Sequence, residues 1–159
     1  MKIVEILNGD TVIPELASKN KKEVIEELVS VIVEKDNSLN KEELIEVFLE
    51  RERLGSTGIG DGIAIPHGKL KNIDTLFASF GRSIKGVDFE SMDGKLTYLF
   101  FLLVAPENSA GIHLKALARI SRLLKDDSFR KSLMEAESKE EIFRNIIEKD
   151  ERENHLEIQ

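Results

Sequence analysis

Three histidines carry most of the chemistry open to this chain, which has no cysteine. Without thiols there is no disulfide, no thiolate metal site and no cysteine nucleophile. His67 stands in Ile63-Ala64-Ile65-Pro66-His67-Gly68. Proline locks the backbone before it, and glycine leaves open space after it. At the end of a predicted strand, that setting holds one imidazole rigidly while another molecule approaches closely. His113 follows the loop Pro106-Glu107-Asn108-Ser109-Ala110-Gly111 and opens a predicted helix. A helix start offers unpaired N–H groups and a positive dipole end, so a histidine there suits phosphate or carboxylate. His155 lies in a polar tail and reads as a solvated residue.

Several chemistries fail for want of parts. A metal site usually takes three or four protein ligands, and no His-Glu-x-x-His spacing exists here, so no metal is expected. Leu54-Gly55-Ser56-Thr57-Gly58 is not the Gly-x-Ser-x-Gly of a serine hydrolase. The glycine-rich run Gly55 to Gly62 lacks the closing Gly-Lys-Ser/Thr of a phosphate-binding loop, and Ile63 stands where a dinucleotide fingerprint needs its third glycine. No cofactor is implied. Phosphoryl transfer does suit what is present. A histidine, with an ordinary pKa of ~6.5, is largely neutral near pH 7 and attacks phosphorus through a ring nitrogen. The rest of that chemistry is positioning and charge stabilisation, which a second histidine and an arginine supply.

The elements that must position these groups follow from patterning. Val24, Ile25, Leu28, Val29, Ile32 and Val33 recur at helical spacing between Asn20 and Glu34. Asn40 with Glu43 starts a second helix carrying Leu44, Ile45, Phe48 and Leu49 and ending near Arg53-Leu54-Gly55. Val4 to Ile13 gives either a short strand pair or a strand and turn. Gly55 to Gly62 is expected as loop, Ile63-Ala64-Ile65 as a short strand stopped by Pro66, and Gly86 and Met92-Asp93-Gly94 as turns. Leu76 to Arg82 and Leu96 to Val104 read as strands, the second apolar on both faces and so central. The last third is helical, with starts at Asp126 and at Ser138 with Glu141. The expected class is α/β, a mixed β-sheet sandwiched by helices. One domain over residues 1–150 is expected, with 151–159 a polar, flexible tail.

Bulk properties narrow the partners. Of 159 residues 41% are apolar, enough for a real core, and the formal net charge is −7. That balance argues against general nucleic-acid or anionic-membrane binding. The longest apolar run, Leu96 to Ala105, is half of the ~20 residues a spanning helix needs, and the amino terminus has no signal-peptide layout. A soluble, cytoplasmic protein is expected.

The stretch Arg51-Glu52-Arg53-Leu54-Gly55-Ser56-Thr57-Gly58-Ile59-Gly60-Asp61-Gly62-Ile63-Ala64-Ile65-Pro66-His67-Gly68 resembles the phosphorylation-site signature of the enzyme IIA domains of the bacterial phosphoenolpyruvate-dependent sugar phosphotransferase system, fructose/mannitol class. Pro106-Glu107, His113-Leu114 and Leu117 match a second motif, and the likeness runs from about Val12 to Ile147. The resemblance implies that His67 is phosphorylated, through Nε2, making the chain a protein-histidine phosphotransferase component. It implies that His113 stabilises the phosphoryl oxygens and that Arg51, sixteen residues before His67, supports them electrostatically. The implied donor is the phosphocarrier protein HPr, and the implied acceptor is an enzyme IIB expected on a separate chain. Phe80-Gly81-Arg82-Ser83 with Pro106-Glu107 leans towards the fructose type, so sugar transport is the main expectation. The alternative is a nitrogen-regulatory IIA protein that controls partners through its phosphorylation state.

Overall fold

The long apolar run in the second half of the chain becomes the centre of the molecule. The computed structural model describes residues 1–158. Strand β6 (Thr97–Pro106) is flanked on one side by β5 (Phe77–Val87), antiparallel to it. On its other side run β3 (Ile63–Ala64) and, further along, β4 (His67–Leu70), both parallel to β6. The edges are β1 (Val12–Ile13), parallel to β5, and β2 (Gly58–Gly60), antiparallel to β3. The result is a six-stranded mixed sheet in the order β1-β5-β6-β3-β2.

Strand alternation decides which helix covers which face. Leu99, Phe101 and Leu103 of β6 pack with α3 (Ala110–Leu124), α4 (Asp127–Glu135) and α5 (Lys139–Ile158). Phe100, Leu102 and Val104 point the other way, against α1 (Lys21–Lys35) and α2 (Lys41–Arg53). Because side chains on a strand alternate with period two, a run apolar throughout has to be buried on both faces. The expected helix-sheet-helix sandwich is present. Asn20, Asn40 and Asp126 each accept a backbone N–H three residues on, and Ser138 does the same for Glu141. These bonds satisfy donors that a helix start leaves orphaned.

Of the two readings of Val4 to Ile13, the strand and turn is the one present: 3₁₀ turns at Ile3–Glu5 and Gly9–Thr11 precede the two-residue β1. Four other local expectations differ. Gly58–Gly60, read as loop, is the edge strand β2, closed onto β3 by a turn in which Gly60, Asp61 and Gly62 all have positive φ. Gly86 is no turn but lies inside β5, at a register shift against β6. His67 does not end a strand; it begins β4. Residues 151–158, expected as a flexible tail, continue α5, and residue 159 lies outside the described residues.

The polar interior also has an organisation that patterning does not reveal. Buried Asp150 accepts the Ile3 N–H (2.7 Å) and pairs with buried Arg119, joining the amino terminus, α3 and α5. Buried Arg82 donates to the carbonyls of Pro14 (2.9 Å), Leu133 (2.9 Å) and Ala136 (2.6 Å). Two of those acceptors lie at the carboxyl end of α4, where a cation meets the negative end of the helix dipole. Arg82 is thereby a clamp between sheet and helix.

Candidate functional site

Pro66 organises the site by what it lacks. With no N–H it cannot continue the ladder along β6, and the strand breaks between β3 and β4. Ile65 turns its N–H away to the carbonyl of Thr57 (3.0 Å), while the Pro66 carbonyl still accepts Leu103 N–H (2.9 Å). The chain then rejoins β6 at His67, opposite Leu103. The detour leaves the Ile65 carbonyl beside the His67 ring, and Nδ1 bonds it at 2.7 Å. A carbonyl only accepts, so Nδ1 carries the proton and, in the neutral ring, Nε2 keeps a bare lone pair.

Gly68 brings α2 close: a Cβ there would lie 2.7 Å from Cγ1 of Val47. His67 consequently faces the last turns of α2 on one side and the first turn of α3 on the other. A shallow groove of about 720 Å³ is lined by Val47, Glu50, Arg51, Arg53, Leu54, His67, Gly68, Lys69 and His113. The three residues singled out from sequence, His67, His113 and Arg51, therefore share one groove. The rings of His67 and His113 are 5.6 Å apart between centroids and tilted by 53°. Arg51 is half-buried, and its Nη1 donates to the Gly55 carbonyl at 2.9 Å, fixing the guanidinium at the end of α2.

Both imidazoles are held below their ordinary pKa of 6.5. For His67 burial is the main cause; the Ile65 carbonyl opposes it, the Arg51 charge adds to it, and Glu52 opposes it weakly. For His113 burial again leads, followed by the charges of His67 and Lys69. Burial penalises the charged form, so both rings are neutral near pH 7. His113 is itself buried, and its Nδ1 has no hydrogen-bond partner among the described residues. A buried N–H without an acceptor is costlier than a spare lone pair, so we assign the His113 proton to Nε2. The groove thus offers one nucleophilic nitrogen, one N–H donor and a guanidinium: the parts for receiving a phosphoryl group.

Sequence reasoning missed Glu52. It is buried, with carboxylate contacts to the Thr57 N–H (3.1 Å), the Thr57 hydroxyl and Lys21 (3.0 Å). In the sequence Glu52 is one residue of the signature stretch at a charged helix end, and nothing marks it as buried. Among the described residues no three His, Asp or Glu side chains come together as a metal-ligand set, and no helix is long and apolar enough to cross a membrane. A larger cleft of about 960 Å³ lies between the 71–76 loop and the start of α3, and it contains none of the three residues named above.

The fold is that of the phosphotransferase EIIA domains. The crystal structure of nitrogen regulatory protein IIA-Ntr from Neisseria meningitidis superposes with a TM-score of 0.84 at 35% identity, covering 91% of this chain and 98% of that one. The chain belongs to the family described as "Phosphoenolpyruvate-dependent sugar phosphotransferase system, EIIA 2", which matches residues 5–149, and it is a phosphoryl-carrier domain of that system. It is 41% identical over 143 residues to the nitrogen regulatory protein of Bradyrhizobium diazoefficiens, covering 90% of this chain and 93% of that protein. It is also 42% identical over 150 residues to the fructose-specific EIIABC component of Bacillus subtilis, covering 94% of this chain but only 24% of that protein.

Proposed function

We propose that His67 is the phosphoryl-accepting residue and that the chain serves as a nitrogen-regulatory type of carrier, its phosphorylation state controlling partner proteins. The observation that carries the chemistry is the Nδ1 bond of His67 to the Ile65 carbonyl, which leaves Nε2 bare and directed by its own backbone. Nε2 of neutral His67 attacks the phosphorus of phospho-HPr in line. The new N–P bond forms as the donor's P–N bond breaks, and that electron pair leaves with the donor imidazole. Nδ1 of His67 keeps its proton, so the phosphorylated ring is first cationic and the Ile65 carbonyl faces that charge. His113 Nε2–H and Arg51 offset the charge on the phosphoryl oxygens, work that pre-oriented donors do without reorganisation.

Likeness to the nitrogen regulatory proteins supports the regulatory part of the reading, because it extends over nearly their whole length and over structure as well as sequence. A second reading has its own support. The 42% identity to a fructose-specific component favours a transport carrier that hands the phosphoryl group to an enzyme IIB.

The test is incubation with enzyme I, HPr and labelled phosphoenolpyruvate, followed by mapping of the label. Acid-labile, base-stable label on His67 is expected. No label on a folded protein, with HPr itself phosphorylated, overturns the carrier assignment. Adding a fructose-type IIB then separates the two roles: label that stays supports regulation, and label that passes quickly to IIB supports transport.

A further inference from the structure

Glu52 has no part in the scheme above, yet it is a buried carboxylate within the stretch that resembles the phosphorylation-site signature. Its carboxylate accepts both the N–H and the hydroxyl of Thr57. Thr57 passes the constraint on, because its carbonyl accepts the N–H of Ile65 at 3.0 Å. Ile65 in turn presents the carbonyl that takes Nδ1 of His67 at 2.7 Å. Four groups thus form one run of contacts from the end of α2 to the reacting ring.

The far side of Glu52 is anchored too. Lys21, at the start of α1, lies 3.0 Å from the Glu52 carboxylate and 3.3 Å from that of Glu90. The same ammonium stands 5.0 Å from the centroid of the buried Phe89 ring. Lys21 and Glu52 are both largely shielded from water, which makes their separation costly and the placement of the carboxylate firm. A buried charge taking this many bonds is costly to assemble for loop stability alone, since an apolar pair of similar volume often serves as well.

We infer that Glu52 is a positioning residue for His67, acting through Thr57 and the Ile65 carbonyl to hold the imidazole with its proton on Nδ1 and its Nε2 bare. The inference rests on the carrier reading of His67 for its kinetic consequence, though not for its geometry. A histidine in water favours the opposite tautomer, with the proton on Nε2, which has no lone pair at the attacking position. The fixed Ile65 carbonyl reverses that preference. It also faces the ring charge that develops on attack, and the negative charge on Glu52 acts in the same direction. Arg51, the neighbouring cation, acts in the opposite sense on the ring and serves the phosphoryl oxygens instead.

The experiment is a long-range proton–nitrogen correlation spectrum of the unphosphorylated protein, taken with the rate of label uptake at position 67. Wild type, Glu52→Gln, Thr57→Val and Thr57→Ser are compared, with thermal unfolding to monitor the fold. Wild type is expected to show a single His67 tautomer protonated on Nδ1. Glu52→Gln and Thr57→Val should shift His67 towards a mixture of tautomers and slow uptake about 10- to 100-fold, the scale of a small misplacement of a reacting group. Thr57→Ser keeps the hydroxyl and should restore both readings. Should Glu52→Gln fail to fold, the two Thr57 variants still decide the matter. Folded variants with the wild-type tautomer and the wild-type rate overturn the inference and leave Glu52 a staple of the loop. If the tautomer responds as expected while wild type itself takes no label, the inference stands and the carrier reading falls.

Discussion

His67 and His113 stand 5.6 Å apart, ring to ring, although they come from a broken strand and from the first turn of α3, the helix that follows β6. At that distance two imidazolium charges would repel, and each ring is also buried enough to resist protonation. The pair is therefore set up as two neutral rings that differ in which nitrogen carries the proton. In the proposed carrier scheme His67, with its proton on the inner nitrogen, takes the phosphorus, and His113, with its proton on the outer, donates to oxygen.

From that division of labour, the two histidines should fail differently. His67→Ala should take up no label at all, because the attacking atom is gone. His113→Gln keeps a side-chain N–H of similar reach and should lose less than His113→Ala, for which uptake should fall by on the order of 100-fold, as for loss of one charge-stabilising donor. Far-ultraviolet circular dichroism should match wild type in all three. A wild-type uptake rate in His113→Ala would show that this ring is only packing.

The pH behaviour has a definite sign. Both histidines have folded pKa values below 6.5, so protonation of the native protein lags behind that of the unfolded chain. Above about pH 6.5 the two states bind equal protons at these sites and stability is unaffected. As pH falls from 6.5 through the folded values, the unfolded chain gains protons first and native stability is lost, becoming constant again below them. Titration of the ring Cε1 protons by NMR should give midpoints below 6.5 for both residues. After phosphorylation the His113 midpoint should rise, since a nearby negative charge favours the imidazolium. A midpoint of 6.5 or above in the unphosphorylated protein would remove the neutral-pair account.

Helices and the central strand were legible in the sequence because their signals are local. Val24, Ile25, Leu28, Val29 and Ile32 lie on one helical face whatever else the chain does, and all five are buried. Asn40 and Asp126 announce their helices through bonds spanning three residues. The strand that carries His67 was not legible, because Pro66 reads as a stop and the partners that restart the ladder come from β6, more than thirty residues away. Arg82 looked like a family marker and proved to be a clamp on the end of α4. Asp150, the last residue before the polar stretch 151–159, carries no local sign of burial and is buried because its partners are Ile3 and Arg119. The histidines stand out by residue type and setting and Arg51 only through the resemblance, while Glu52 and Thr57 lie in the same stretch as Arg51 and gain their contacts only in the fold.

Gly68 ties the strand to α2 tightly enough to be tested by one methyl group. A Cβ at this position would lie 2.7 Å from Cγ1 of Val47, inside van der Waals contact, so Gly68→Ala has to push α2 away from β4. That overpacking should cost about 1–3 kcal/mol in urea denaturation. It should also displace Arg51, which sits one helical turn after Val47 on the same side of α2. Val47→Ala in the Gly68→Ala background removes the colliding methyl and should recover part of the stability, a coupling that a double-mutant cycle reads directly. Additive effects would mean that the strain lies elsewhere.

Asp150 gives the sharpest stability prediction, because three parts of the chain converge on one carboxylate. It is 1% exposed, its Oδ2 takes the Ile3 N–H, and Oδ1 pairs with buried Arg119. Asp150→Asn is nearly isosteric, so it leaves no cavity, but it removes the charge that Arg119 faces and replaces one acceptor with a donor. Breaking a buried pair by neutralising one member costs about 3–5 kcal/mol, whereas losing an exposed ion pair costs about 1 kcal/mol or less. The exposed Lys35–Asp10 pair supplies the internal comparison, and Asp10→Asn should be close to neutral. Urea denaturation of the two variants should therefore differ by a few kcal/mol. Should Asp150→Asn lose no more than Asp10→Asn, the buried set would be dispensable, and the amino terminus would be held by the apolar contacts of Ile3 and Leu7 alone.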